Sequence, residues 1–242
     1  MRRWLSLLCC LLAVTGVSLA QDPTPVEPIS TLEAGDFRAL AVTTDGSRLL
    51  VADAENNQVR VYDFTDPEAP ARLTSIEISG TPVLLTGGAG FGLAAVTTNE
   101  DSDLVEVVVP TPPGARLPVT TGSTIPIDKD PRALALSPNS HWGIVVSDAS
   151  YTLLEINAPD NVDSIPFDER LVGAALSDTN AYLLRENSMA SAPLDALATL
   201  SASQTLEFEG TASAVALNAD GTLGVIVVDG TRLLFFNPQT LE

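Results

Sequence analysis

The chain has 242 residues, of which 45% are hydrophobic and 18% are charged. This apolar content supports one sizeable core and argues against a chain that is disordered throughout. Acidic residues outnumber basic residues by 31 to 12, which gives a formal net charge of −19. Binding to nucleic acid or to an anionic membrane surface requires clustered Lys and Arg, so the charge balance argues against both.

Residues 1–20 have the three parts of a secretory signal. Arg2 and Arg3 provide a basic start, an apolar run follows, and Ser18 and Ala20 are small residues before a cleavage point at Gln21. The apolar run is short for a helix that spans a bilayer, although an uncleaved membrane anchor is the alternative interpretation. We therefore predict a secreted or periplasmic protein with no stable membrane insertion after cleavage.

Cleavage of that segment removes Cys9 and Cys10, which are the only two cysteines. The mature chain then forms no disulfide, and an exported protein without cysteine is more typical of bacteria than of eukaryotes. Residues 21–28 are rich in proline and polar side chains and predict a short extended linker. Residues 29–242 form the remaining domain.

A repeat of about 40 to 50 residues occupies this domain. Five segments, each with a short apolar strand, a turn and a second apolar strand, can be laid over one another: 38–53, 81–96, 132–148, 172–186 and 213–229. Asp-Gly at the turns of the first and fifth segments is a strong hairpin signal. A period of this length is typical of the four-stranded blades of a β-propeller.

Each repeat also contains a third and a fourth predicted strand, with two irregularities. The segment 188–203 of the fourth repeat predicts a loop with a helical turn rather than a regular third strand. The fifth repeat ends at Glu242 without a fourth strand, and residues 29–33 resemble a fourth strand placed before the first repeat. We therefore predict an all-β fold, a five-bladed β-propeller in which residues 29–33 close the last blade.

Two alternatives to this architecture remain open. A β-sandwich also has short strands with turns at regular spacing, although the long period favours the propeller. A propeller of seven blades is expected if this chain is part of a longer one. Small residues in the inner strands, such as Ala41, Ala135 and Ala216, fit the crowding near a propeller axis.

The first repeat resembles the YVTN-type propeller repeat of bacterial surface and periplasmic proteins. Its end, VRVYDFTDPEAPARLTSI, is also similar to the LVIVD repeat, whose Asp-Pro-x-x-Pro turn is matched by residues 66–70. The resemblance implies a propeller within a superfamily that includes lactonases. It indicates a fold more strongly than an activity, because propellers have many unrelated functions.

The predicted ligand-binding residues lie in loops that share one face of a propeller. Arg38 and Arg132 precede inner strands at equivalent positions, and Asp53, Asp148 and Asp229 follow second strands at equivalent positions. One interpretation is a polar ring that binds a ligand or partner. The alternative, which we favour, is that these residues form exposed Arg–Asp pairs that tie neighbouring loops together.

Other residues give little support for catalysis or metal binding. The acidic segment 99–103 lacks the residue order of a calcium-binding EF-hand loop. His141 is the only histidine, so the sequence has few side chains from which to build a zinc site or a Ser-His-Asp triad. The glycine-rich segment 87–92 is not followed by a helix pattern, as a phosphate-binding loop requires. We predict no catalytic residue, no metal ligand and no cofactor.

Two functions from different classes fit the sequence. The first is an exported, non-enzymatic and monomeric binding scaffold that meets a protein partner or a cationic ligand. The second is a lactonase-like hydrolase with a metal held by carboxylates at the mouth of the channel. It would require Asp53, Asp148 and Asp229 to converge on the axis.

Overall fold

The computed structural model describes residues 35–88, 91–98, 102–108, 121–148, 150–156, 162–167, 169–197, 204–218 and 220–242. The predicted signal segment, the linker and the closing strand at 29–33 lie outside the described residues. In the described part of the chain, no helix is long and apolar enough to cross a membrane.

Within the described residues, nineteen strands form five antiparallel sheets, and each sheet is contiguous in the sequence. The first sheet contains β1 (Phe37–Val42), β2 (Arg48–Asp53), β3 (Gln58–Asp63) and β4 (Ala71–Glu77). The second contains β5 (Thr81–Gly87), β6 (Gly92–Thr97), β7 (Asp103–Val108) and β8 (Thr121–Ile127).

The other three sheets repeat this pattern. The third contains β9 (Ala133–Leu136), β10 (Trp142–Val146), β11 (Ser150–Glu155) and β12 (Val162–Pro166). The fourth contains β13 (Gly173–Leu176), β14 (Asn180–Leu184), β15 (Ser188–Pro193) and β16 (Gln204–Glu207), with a 3₁₀ turn at Leu194–Ala196. The fifth contains β17 (Ala212–Leu217), β18 (Gly224–Val228) and β19 (Arg232–Phe236).

The hairpins follow from the turn residues that the sequence analysis identified. Gly46 and Gly221, in the two Asp-Gly turns, have φ of 71° and 64°, which a side chain with a Cβ rarely adopts. The carboxylate of Asp66 accepts the N–H of Glu68 at 3.1 Å and so shapes the turn between β3 and β4. For the segment 188–203, the prediction of a helical turn is confirmed by the 3₁₀ turn at Leu194–Ala196. The prediction that a regular third strand is missing is wrong, because β15 is regular and pairs with both of its neighbours.

The sheets pack face to face in chain order, so that each sheet contacts the next one along the chain. Four apolar clusters fill these four junctions. For example, Leu50 and Val61 of the first sheet pack with Ala94 and Val108 of the second. The inner strands β1, β5, β9, β13 and β17 are neighbours along this series. The second strands β2, β6 and β10 are almost wholly buried, as their continuous apolar sequences predict.

Among the described residues, each terminal sheet has one apolar face that carries exposed hydrophobic side chains. On the fifth sheet the register aligns Ala214, Val227 and Leu233 in one row and Ala216, Val225 and Phe235 in the next. Leu233 and Phe235 are both 60% exposed. On the first sheet Leu40, which is 69% exposed, lies opposite Val51, and Val42 lies opposite Leu49. We call these surfaces the fifth-sheet face and the first-sheet face.

Candidate functional site

The five predicted binding residues lie at one edge of their sheets. At this edge the inner strands begin and the second strands end, and we call it the Arg–Asp face. The opposite edge carries the turns between inner and second strands, and we call it the hairpin face. Hydrogen bonds between neighbouring sheets, such as Thr81 Oγ1 to Asn57 Oδ1 on the Arg–Asp face, show that the sheets share this orientation.

Asp53 is 0% exposed, and the donors described for its carboxylate all belong to its own sheet. Its Oδ2 accepts Arg60 Nε at 2.7 Å and Nη2 at 2.5 Å, and also the side-chain amides of Asn56 and Gln58, both at 2.9 Å. Burial disfavours the charged carboxylate, but these hydrogen bonds outweigh burial and lower the pKa of Asp53 to about 2. The Arg60 guanidinium lies over the Phe37 ring, 5.0 Å from its centroid. This arrangement fixes the turn between β2 and β3.

Arg132 and Asp148 form the pair that the sequence analysis expected. Arg132 Nη2 donates to Asp148 Oδ1 at 2.5 Å, and the Arg132 backbone N–H donates to the Val146 carbonyl at 2.7 Å. The Asp148 side chain is 58% exposed. The pair is therefore presented to solvent on a loop that the backbone bond holds against β10.

Asp229 forms a similar pair within the fifth sheet. It accepts the Thr211 backbone N–H at 2.8 Å and Arg232 Nη2 at 2.7 Å, and Arg232 also donates to the Glu209 carbonyl at 2.7 Å. These bonds, first from the Thr211 backbone and then from Arg232, lower the pKa of Asp229. The result is a second exposed ion pair that joins the strand-entering loop to the turn between β18 and β19.

Arg38 does not follow the pattern of its sequence equivalent, Arg132. Its Nη2 donates to Asp36 Oδ2 at 2.8 Å, because Asp53 is already enclosed by Arg60 and the neighbouring amides. The Arg38 side chain is 57% exposed. Each of the five predicted residues therefore has a charged partner within its own sheet or loop, and three pairs with exposed side chains lie on the Arg–Asp face.

The acidic segment 99–103 contains a lysine-binding carboxylate that the sequence analysis missed. Asp103 is buried and accepts the backbone N–H groups of Thr98 at 2.9 Å and Asp130 at 3.0 Å, and Lys129 Nζ at 3.2 Å. Burial opposes ionisation, but these donors lower the pKa of Asp103. Because Lys129 is the only lysine in the sequence, it was an available signal for a specific ion pair. Residues 99–101 lie outside the described residues.

A cavity of about 380 Å³ lies where the inner strands meet. Its walls include Ala135, Ala174, Ala175 and Ala216, which confirms that small inner-strand residues surround this space. Thr44, Thr86 and Asn218 also line it, so the cavity extends towards the hairpin face. Across the described residues, no group of three or more His, Cys, Asp or Glu side chains is placed to hold a metal ion.

Solved structures of low sequence identity share this architecture. Hsv2 of Kluyveromyces lactis superposes with a TM-score of 0.64 at 14% identity, covering 86% of this chain and 61% of Hsv2. The WD40 domain of Neurospora crassa Pan2 gives 0.63 at 15% identity, covering 83% of this chain and 62% of that domain. Hydrazine synthase of Kuenenia stuttgartiensis superposes with a TM-score of 0.52 at 12% identity, covering 85% of this chain and 84% of that chain.

The chain has a β-propeller fold. The likeness is one of fold alone, because all three identities are low. The chain spans about three fifths of the length of Hsv2 and of the Pan2 domain. No family model matches the sequence, and no curated protein matches it.

Proposed function

We propose that this protein is an exported β-propeller that acts as a binding scaffold and presents its Arg–Asp face to a protein partner. The observation that carries this proposal is the set of three exposed ion pairs on that face: Arg38–Asp36, Arg132–Asp148 and Arg232–Asp229. Backbone hydrogen bonds hold the loops of the second and third pairs. A partner with charged side chains therefore meets donors and acceptors in fixed positions.

The proposed ring has five blades, one for each sheet, and residues 29–33 supply the missing fourth strand of the fifth sheet. In the described sheets, short connections join each fourth strand to the next inner strand, for example residues 78–80 between β4 and β5. Residues 34–36 would form an equivalent connection to β1. Closure would then bring the first-sheet face against the fifth-sheet face and cover Leu40 and Phe235.

Two further blades from outside this sequence would cover the same two faces, and this seven-bladed arrangement is the alternative. The partial coverage of Hsv2 and Pan2 favours the alternative, whereas the 84% coverage of hydrazine synthase fits the five-bladed ring. In either ring the repeats remain of the YVTN or LVIVD type that the first blade resembles.

The proposed location is outside the cytoplasm, in a bacterial periplasm or culture medium. Residues 1–20 carry the signal pattern, and the strongly acidic composition keeps such a protein soluble through self-repulsion. Expression of the full chain followed by N-terminal sequencing of the exported protein tests this location. We expect the exported form to begin at Gln21, and a product that retains residues 1–20 would contradict the proposal.

The scaffold role is tested by chemical cross-linking of the exported protein in its native compartment. We compare the wild type with Arg132→Glu on the Arg–Asp face and with Arg72→Glu, an equal change of charge on exposed β4. A specific partner should be lost from Arg132→Glu and kept by Arg72→Glu. If both variants retain the partner equally, the Arg–Asp face is not the binding surface.

The hydrolase alternative requires the carboxylates of Asp53, Asp148 and Asp229 to be available for a metal. In the structure each of them accepts hydrogen bonds from an arginine of its own sheet or loop. No observation on the described residues therefore favours this second function over the scaffold.

A further inference from the structure

We propose that a cleft between the first and second sheets binds a primary ammonium group through the carboxylate of Glu106. The cleft has a volume of about 410 Å³. Its lining includes Asn57, Ser79, Thr81, Thr97, Thr98 and Leu104. The cleft lining includes no residue of the three exposed ion pairs, so the proposal does not rest on the scaffold role.

Glu106 is a buried carboxylate with a hydrogen-bond donor at only one of its two oxygens. It lies on β7 and is 1% exposed. Its Oε1 accepts the backbone N–H of Ser79 at 2.7 Å, whereas its buried Oε2 has no hydrogen-bond partner among the described residues. A buried carboxylate oxygen without a donor carries a desolvation cost, so a group that donates a hydrogen bond to it gains binding free energy.

The position of Glu106 connects it to the cleft. The Ser79 residue that binds Oε1 forms part of the cleft wall. Leu104 also lines the cleft, and it lies two residues before Glu106 on the same strand, so both side chains are on the same face of the second sheet. Glu106 itself does not line the cleft, but its carboxylate is one hydrogen bond away from Ser79, a residue that does.

The same strand shows how this protein binds an ammonium group. Asp103 begins β7 and accepts three donors, of which one is the Lys129 ammonium. Lys129 Nζ also donates to the carbonyl of Thr98, a residue that lines the cleft. Glu106 also accepts a backbone N–H, that of Ser79, but no cationic side chain among the described residues donates to it.

The chemistry of the lining selects a small cation with N–H donors. The cleft-lining side chains are neutral hydroxyl, amide and alkyl groups, and an anion would be repelled by Glu106 and by the net charge of −19. A calcium ion needs six to eight oxygen ligands, including several charged ones. Because Oε2 is buried, binding requires the cleft wall at Ser79 to open locally. A primary ammonium group is small and carries N–H donors for Oε2, whereas a quaternary ammonium group is larger and has none.

Titration of the ¹⁵N-labelled exported protein with n-butylammonium at constant ionic strength tests the proposal. We expect saturable shifts of the Ser79, Gly80 and Thr81 amide resonances, and no such shifts with tetramethylammonium or sodium. Glu106→Gln keeps the shape of the side chain and removes its charge, and we expect it to weaken binding at least about tenfold. Glu77→Gln, at an exposed position of β4, is the matched control and should bind like the wild type.

The source of the ammonium group is distinguished by two peptides that differ only in acetylation of one lysine side chain. Binding of the unmodified peptide alone indicates a lysine of a protein partner, whereas binding of butylammonium without peptide binding indicates a small amine. The absence of saturable shifts in the wild-type protein with both probes overturns the proposal. Equal affinity of the wild type and a folded Glu106→Gln variant also overturns it, and the wild-type titration remains decisive if that variant does not fold.

Discussion

Arg60 donates two hydrogen bonds to one oxygen of Asp53, from Nε at 2.7 Å and from Nη2 at 2.5 Å, and both side chains are buried. This pair joins the end of β2 to β3 beneath the Phe37 ring. The pair at Arg132 and Asp148 has the same chemistry but lies in solvent. Burial therefore separates a structural pair from a pair that a partner can reach.

Loss of one member of the buried pair should be costly. Asp53→Ala leaves the Arg60 guanidinium buried without its carboxylate, so we expect a loss of about 3–5 kcal/mol in the free energy of unfolding. Asp148→Ala removes an exposed partner and should cost about 0–1 kcal/mol. Urea denaturation followed by Trp142 fluorescence measures both. Similar costs for the two variants would show that Asp53 is not enclosed as described.

Acid should destabilise the fold through carboxylates whose pKa is lowered. The pKa of Asp53 falls from 3.8 to about 2, and that of Asp45 falls to about 2 mainly through the Thr43 hydroxyl and the Ser47 N–H. Their stabilisation is complete above the unfolded value of 3.8 and is lost as the pH falls through the folded value. For buried Asp53 this linkage amounts to about 2 kcal/mol.

Thermal melts between pH 2 and pH 7 measure this dependence. We expect the Tm to be nearly constant above about pH 5 and to fall towards pH 2. Asp45→Asn keeps the hydrogen-bond acceptor in the turn but cannot titrate, so its Tm should fall less steeply. An identical slope in the variant would contradict the assigned role of Asp45.

The turn between β1 and β2 should depend on backbone conformation rather than on space. A Cβ added at Gly46 would have no neighbouring atom within 4 Å, but its φ of 71° disfavours side chains. We expect Gly46→Ala to cost about 1 kcal/mol and Gly46→Asn to cost less, because Asn tolerates this region better. Chemical denaturation of the two variants distinguishes them, and a larger loss for Asn would refute the conformational explanation.

The sequence predicted the fold well because the repeat leaves a clear pattern. Asp-Gly turns and continuous apolar second strands set the hairpins. The segment 188–203 was harder, because its small residues weaken the alternation. In the structure Met189, Ala190 and Ala192 are all buried, since the sheet packs on both sides there.

The candidate site was less predictable than the fold. The sequence placed Arg38 and Arg132 at equivalent positions, yet only Arg132 pairs with the aspartate that follows its second strand. The arginine that reaches Asp53 is set by the register between β2 and β3. Arg60 of β3 lies opposite Val51 of β2, two residues before Asp53. The missing hydrogen-bond partner of Glu106 Oε2 results from how the first and second sheets pack. No local sequence pattern predicts such packing.

The first-sheet face and the fifth-sheet face provide a test of ring closure. If the first-sheet face covers the fifth-sheet face, Phe235→Asp buries a charge and should lower the free energy of unfolding by at least about 2 kcal/mol. Thr231→Asp, in the exposed turn before β19, should have little effect. Denaturant titration of both variants gives the comparison, and a neutral Phe235→Asp would indicate that the faces stay open.

Hydrogen exchange along β19 tests the closed five-bladed ring most directly. In the mature chain, a strand at residues 29–33 paired with β19 should protect every amide from Arg232 to Phe236. Removal of residues 21–33 should restore fast exchange at alternate amides, which is the pattern of a sheet edge with one neighbouring strand. Fast exchange at alternate β19 amides in the mature chain itself would contradict closure by this segment.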